Sequence, residues 1–183
     1  MSDRGRLVVI SGPSGVGKST ICRELVKRTG ALLSVSMTTR PRTPSEVDGV
    51  DYHFVTRQQF RKMLKDGAFL EHAEVFGNMY GTPAEPAISA VNAGKSVILE
   101  IDVQGGLQIK KAFPDALLVF ILPPDAGELA QRINRRARDS ADETQKRLVS
   151  STDEMAVAWK NYSHMVVNDD LEHAINMITK MFE

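Results

Sequence analysis

The stretch Gly12-Pro13-Ser14-Gly15-Val16-Gly17-Lys18-Ser19 constrains the fold more than any other part of the chain. It follows the apolar run Leu7-Val8-Val9-Ile10 and leads into Thr20-Ile21-Cys22-Arg23-Glu24-Leu25-Val26, so a buried strand turns through glycines into a helix. This is the phosphate-loop pattern G-x-x-x-x-G-K-[ST] in the context it requires. Glycines let the backbone wrap inward without a Cβ clash, so that consecutive N–H groups and the positive end of the helix dipole converge on phosphate oxygens. Lys18 adds a mobile cation for the β and γ phosphates, and the Ser19 hydroxyl can ligate Mg²⁺. Residues Gly12 to Thr20 are therefore the expected triphosphate-binding segment.

The chain has 183 residues, enough for one core with small inserted lobes and short for two independent domains. Lys plus Arg and Asp plus Glu are 23 each, so no global charge argues for nucleic acid or an anionic membrane as partner, and any cationic function must be local. The single Cys22 cannot form an internal disulfide, fits a reducing compartment and falls where a packed core thiol is expected. No apolar stretch approaches the roughly eighteen residues that span a bilayer. A soluble, cytoplasmic protein is the expectation. The four histidines show no metal-ligand spacing, and no structural zinc site is expected.

Apolar runs at Leu7–Ile10, Leu32–Val35, Val97–Ile101, Leu117–Leu122 and Met165–Val167 alternate with helix-period segments. They predict strands buried on both faces of a five-stranded parallel sheet in a three-layer α/β fold. Thr56 with Gln59 and Ser140 with Glu143 have capping-box spacing, Gly94 stands where a helix from about Ala84 would stop, and Asn168-Asp169-Asp170 can cap the last helix. Two segments break the alternation. Residues 36–83 carry turn signals and strand-like pieces around Tyr52–Val55 and Phe69–Phe76, and read as an inserted mixed lobe. Residues 131–147 hold Arg132, Arg135, Arg136, Arg138, Lys146 and Arg147; such a run is usually a solvated helix face, but in a chain with a phosphate loop it suits a phosphate-clamping lid. The core is then expected over 1–35, 84–130 and 148–183, all within one domain.

Several further segments carry a resemblance over nearly the whole chain. They are Ser34-Val35-Ser36-Met37-Thr38-Thr39-Arg40, Asp48-Gly49-Val50-Asp51-Tyr52, Phe69-Leu70-Glu71, Gly77-Asn78-Met79-Tyr80-Gly81-Thr82, Glu100-Ile101-Asp102-Val103-Gln104-Gly105 and Val167-Asn168-Asp169-Asp170. In this order, with the phosphate loop, they resemble guanylate kinases. The resemblance implies a P-loop NTPase core with a GMP-binding lobe and a lid, and transfer of the ATP γ-phosphoryl group to GMP with Mg²⁺. It implies that Ser36, Glu71, Thr82 and Asp102 line the guanine pocket, that Arg40, Tyr52 and Tyr80 hold the GMP phosphate, and that Lys18, Arg132, Arg136 and Arg147 neutralise the transferring group. Asn168 is the expected neighbour of the ATP adenine, and Asp102 is also expected to help place Mg²⁺ through water.

Glu71 suits guanine chemically: the N1–H and N2–H₂ groups are donors that a carboxylate accepts, whereas adenine presents an acceptor at N1. Buried mismatches of this kind discriminate by up to about 10⁴–10⁵. Two departures from the family pattern stand out. The usual R-x-x-R-x-x-E spacing becomes Arg40-Pro41-Arg42-Thr43-Pro44-Ser45-Glu46, so Arg42 is a further candidate for the GMP phosphate and Thr43 stands where the family has arginine. In the lid, Arg136-Ala137-Arg138-Asp139 lacks the common glycine. A related kinase acting on another phosphate ester, such as a ribose bisphosphate, and a non-catalytic phosphopeptide-binding relative are the alternatives. The first gains weight from the displaced arginine, while intact Lys18 and Ser19 weigh against the second.

Overall fold

The computed structural model of the protein describes residues 5–125, 127–129 and 141–182, with backbone alone over 141–148. The chain runs β1 (Leu7–Ser11), α1 (Lys18–Thr29), β2 (Leu32–Leu33), β3 (Met37–Thr38), β4 (His53–Phe54), α2 (Arg57–Lys65), β5 (Phe69–Val75) and β6 (Asn78–Pro83). It continues α3 (Ala84–Asn92), β7 (Val97–Glu100), α4 (Val103–Ala112), β8 (Leu117–Leu122), α5 (Ala141–Asn161), β9 (His164–Val167) and α6 (Leu171–Lys180).

Five strands form one parallel sheet in the order β2-β7-β1-β8-β9. Successive side chains of a strand point to opposite faces, and β1 shows the consequence: every residue is buried, with Val8 and Ile10 packing among Ile21, Leu25, Ile175 and Ile178, whereas Leu7 and Val9 pack among Ala87, Ile109 and Ala158. Helices α1 and α6 thus cover one face, and α3, α4 and α5 the other. The chain leaves β1 for β2 and β7 on one side, and later reaches β8 and β9 on the other, so strand order reverses at β1. Ligand crevices of open α/β sheets lie beyond the carboxyl end of such a strand. The phosphate loop starts there.

The two edge strands depart from the expected burial. Leu32 on β2 is 41% exposed and Val167 on β9 is 42% exposed, because an edge strand of a sheet has a neighbour on one side only. β2 also ends at Leu33 rather than Val35.

The second sheet, in the order β4-β3-β6-β5, is mixed: β3 and β4 run parallel, and the other pairs are antiparallel. It is drawn entirely from residues between 36 and 83. Helix caps follow the expected chemistry. Thr56 and Gln59 form a reciprocal capping box on α2, Asp170 accepts from His173 N on α6, and Gly94 takes φ +81° just after α3. Ser140 lies outside the described residues. No helix among the described residues is long and apolar enough to cross a membrane.

Candidate active site

The loop between β1 and α1 is shaped by glycines at positions that would not accept a side chain. Gly12 has φ +152°, and a Cβ there would come within 2.6 Å of the Ile121 carbonyl oxygen; Gly17 has φ +101°, and its Cβ would meet Asn168 Nδ2 at 2.8 Å. Gly17 precedes α1 and makes no side-chain capping bond, and the N-terminal end of a helix, where N–H groups point outward, suits an anion. Val16 is buried in the core and anchors the loop. Lys18 Nζ folds back over the loop and donates to the carbonyls of Gly12 at 2.5 Å and Pro13 at 3.0 Å. Asn168, 5% exposed, donates from Nδ2 to the Val16 carbonyl at 2.8 Å, which fixes the end of β9 against the loop. Thr20 is exposed on α1 and lies outside the cavity described next.

A cavity of about 410 Å³ opens between the two sheets and joins the phosphate loop, including Gly15, Lys18 and Ser19, to the mixed lobe. Ser36, Arg40, Tyr52, Glu71, Tyr80 and Asp102 all line it. Thr82 lies behind Glu71, fully buried, and donates from Oγ1 to Glu71 Oε1 at 2.6 Å. Glu71 itself is only 4% exposed. Burial pushes its carboxyl up to about 7, the Thr82 hydroxyl opposes the rise, and the nearby Asp102 adds to it. The other carboxylate oxygen fits only because Gly105 on α4 has no side chain, since a Cβ there would collide with Glu71 Oε2. Asp102 caps α4, accepting the Gly105 N–H on Oδ1 at 2.8 Å.

At the phosphate side of the lobe, Arg40 makes two parallel bonds to Glu46, NH1 to Oε2 at 3.0 Å and NH2 to Oε1 at 2.6 Å. The guanidinium also lies over the rings of Tyr52 and Phe54, 5.5 and 5.7 Å from their centroids. Arg40 holds Glu46 down to about 2, while burial pushes the Tyr52 phenol up to about 12 and so keeps it a donor at neutral pH. Thr43 donates to Glu46 Oε2 from both its backbone N–H at 2.8 Å and its hydroxyl at 2.9 Å. Arg42 is exposed, donates to the Glu46 backbone carbonyl at 3.0 Å and does not line the cavity. Where the family pattern has a second arginine, this chain has a hydroxyl that helps hold the partner of the first.

Two carboxylates in the cavity were passed over in the sequence. Glu100 accepts from Ser19 Oγ at 2.7 Å, so the acid that reaches the expected metal-ligating serine is Glu100, whereas Asp102 is engaged with its helix. Its position carried a signal: Glu100 ends β7 in register with Ile10, two residues before the phosphate loop opens. Glu154, half-buried on α5, lines the same cavity, and burial raises its carboxyl against the pull of Lys18. Nothing local in the sequence marked it, because α5 reaches the site only by packing. Arg132 and Arg136 lie outside the described residues, and Arg147 falls on the backbone-only stretch of α5. Among the described residues no group of three or more His, Cys, Asp or Glu side chains could hold a metal by itself.

A family model described as guanylate kinase matches residues 4–183. The chain belongs to the guanylate kinase family. It is 47% identical over 175 residues to the guanylate kinase of Carboxydothermus hydrogenoformans, covering 94% of this chain and 85% of that relative. It is 48% identical over 172 residues to a guanylate kinase of Thermus thermophilus, covering 94% of this chain and 78% of that relative. Its structure is similar to the crystal structure of guanylate kinase from Anaplasma phagocytophilum, with a TM-score of 0.82 at 32% identity, covering 98% of this chain and 85% of that one. The α/β fold with a P-loop core and a mixed second sheet is the fold of this family.

Proposed function

We propose that the chain is an ATP:GMP phosphotransferase, giving ADP and GDP and serving purine nucleotide metabolism in the cytoplasm. The observation that carries this reading is the buried Glu71–Thr82 pair at one end of a cavity whose other end is the phosphate loop with Lys18. A desolvated carboxylate is costly unless a ligand supplies donors. Guanine supplies two from one rigid edge, on N1 and N2, whereas a ribose bisphosphate offers only separate rotatable hydroxyls. The base-reading carboxylate therefore favours GMP over another phosphate ester, and the intact Lys18 and Ser19 favour an enzyme over a binding module.

Phosphoryl transfer between anions needs water excluded, an in-line approach and cations where charge accumulates. The acceptor phosphate is itself the nucleophile, so no general base is required. In this reading the loop N–H groups and Lys18 hold the triphosphate, and Asn168 supports the loop and neighbours the adenine. Arg40 grips the GMP phosphate, Tyr52 and Tyr80 donate to it without adding charge, and Ser36 and Asp102 complete the guanine pocket with Glu71. The Ser19 hydroxyl and the Glu100 carboxylate form a hard oxygen pair that fits Mg²⁺, with Asp102 acting through water. When bound, Mg²⁺ neutralises the phosphate oxygens and orients the triphosphate. Arg132, Arg136 and Arg147 complete the charge from a lid over 131–147, closing on the core segments 1–35, 84–130 and 148–183 and on the lobe 36–83. ATP and GMP are the expected partners, and nucleic acid and membranes are not.

The test is ADP production by the purified protein with Mg·ATP against GMP, AMP, CMP, UMP and ribose bisphosphate. GMP-dependent turnover with AMP at background is the expected result. Turnover with the bisphosphate alone would replace this reading.

A further inference from the structure

Tyr162 follows the end of α5, and its hydroxyl lies 2.8 Å from Ser11 Oγ. Both residues are buried, Tyr162 at 7% exposure and Ser11 at 0%. Ser11 Oγ in turn donates to the Asp102 backbone carbonyl at 3.3 Å. A serine hydroxyl has one hydrogen. With that hydrogen on Asp102, Tyr162 must be the donor to Ser11, so the chain of bonds has one direction, from the phenol through the serine to the carbonyl. Burial raises the Tyr162 phenol above its ordinary value and keeps it a donor at neutral pH. The path is open because Gly106 has no side chain: a Cβ there would overlap the phenolic oxygen.

The two ends of this relay are held in different ways. Ser11 belongs to β1, whose backbone is held by ladders on both sides, to β7 through Ile10 and Glu100 and to β8 through Ser11 and Phe120. Asp102 lies two residues beyond the end of β7 and is bound to its own helix, its carbonyl accepting the Gly106 N–H at 3.0 Å and its Oδ1 the Gly105 N–H at 2.8 Å, while the backbone link back to β1, Ile101 N–H to the Ile10 carbonyl, is long at 3.4 Å. The relay therefore adds a side-chain tie between the start of α4 and a strand held on both sides. The adjacent glycines of α4 face different neighbours: Gly105 makes room for Glu71, and Gly106 makes room for Tyr162.

We infer that Tyr162 is a positioning residue for the guanine end of the site: acting through Ser11, it holds the main chain at Asp102, and with it the first turn of α4 against Glu71. It does not line the cavity. The inference rests on the GMP reading above. It assigns to the end of α5 a role in base recognition, while the phosphate loop, anchored by buried Val16 and by Asn168 on the Val16 carbonyl, is left largely unaffected.

The test uses the full chain as Tyr162→Phe, Ser11→Ala, the double variant and Gly106→Ala, with GMP and ATP dissociation constants measured by calorimetry and folding monitored separately by urea denaturation. Removing the phenolic oxygen is expected to weaken GMP about five-fold, the equivalent of about 1 kcal/mol, with ATP affinity within about two-fold of wild type. Gly106→Ala, which evicts the hydroxyl from the other side, should weaken GMP in the same direction. The double variant should bind GMP no more weakly than Ser11→Ala, since both changes cut one relay. Unchanged GMP affinity in Tyr162→Phe, a parallel loss for both nucleotides, or additive losses in the double variant would overturn the inference. A wild-type protein that does not bind GMP overturns the kinase reading and this one together; a wild type that binds GMP no better than Tyr162→Phe overturns this one alone.

Discussion

The two ends of the cavity, proposed above for phosphate and for guanine, are built by different means. The phosphate end is built from backbone: glycines at positive φ, the start of α1 led by Gly17, and one lysine resting on its own loop carbonyls. The guanine end is built from side chains that meet across long sequence separations, Glu71 with Thr82 and Gly105, and Arg40 with Glu46 and the Tyr52 ring. The sheets beneath them differ in the same way. β1 is fully buried between two parallel partners, whereas β3 and β4 are two residues each and depend on β6 and on turns for their place. A backbone site needs only a short local pattern. A side-chain site needs the whole lobe folded around it.

The largest expected effect tests the phosphate end. Lys18→Ala removes the loop's cation and should lower kcat by about 10³-fold with the fold intact by circular dichroism. A loss under ten-fold would show that the backbone alone suffices there. Next is the guanine end: Glu71→Gln should reduce kcat/KM for GMP about 10²-fold while the KM for ATP stays within about two-fold. A matched rise in both KM values would mean that the two ends are not independent.

The pH dependence sharpens the same contrast. In the proposed reading Glu71 accepts from guanine as a carboxylate, and burial pushes it up to about 7, so lowering the pH protonates it and removes the acceptor. Between pH 8.5 and 6.5 the KM for GMP should rise about four-fold in wild type and stay flat in Glu71→Gln, as read by initial rates at saturating ATP. A wild-type profile as flat as the variant's would remove Glu71 from base recognition. The smallest effect concerns the displaced arginine. Arg42→Ala should change the KM for GMP less than about two-fold, because its guanidinium is turned onto the Glu46 carbonyl outside the cavity. A five-fold rise would mean that Arg42 reaches the phosphate after all.

Much of this was legible in the chain. β1, the phosphate loop and α1 are contiguous, so strand, turn and helix signals reinforce one another within a few residues. The caps at Thr56 and Asp170 were legible for the same reason, since a cap is a contact between near neighbours. The family resemblance names Glu71, Thr82 and Asp102 without their geometry, and it is the structure that puts Thr82 behind Glu71 and Glu71 beside Asp102 in one cavity. Edge exposure at Leu32 and Val167 was not legible, because an apolar run does not state where its strand falls in the sheet.

By itself the sequence determined the phosphate loop and the parallel α/β core, since each follows from local turn chemistry and from periodicity in burial. Only the tertiary structure decided that Glu100 meets Ser19, that Arg42 turns away while Thr43 braces Glu46, and that Tyr162 reaches Ser11 through the gap at Gly106. The physical reason is range. These contacts depend on which strand ends and helix turns are brought level by packing, and no short stretch of chain encodes that on its own.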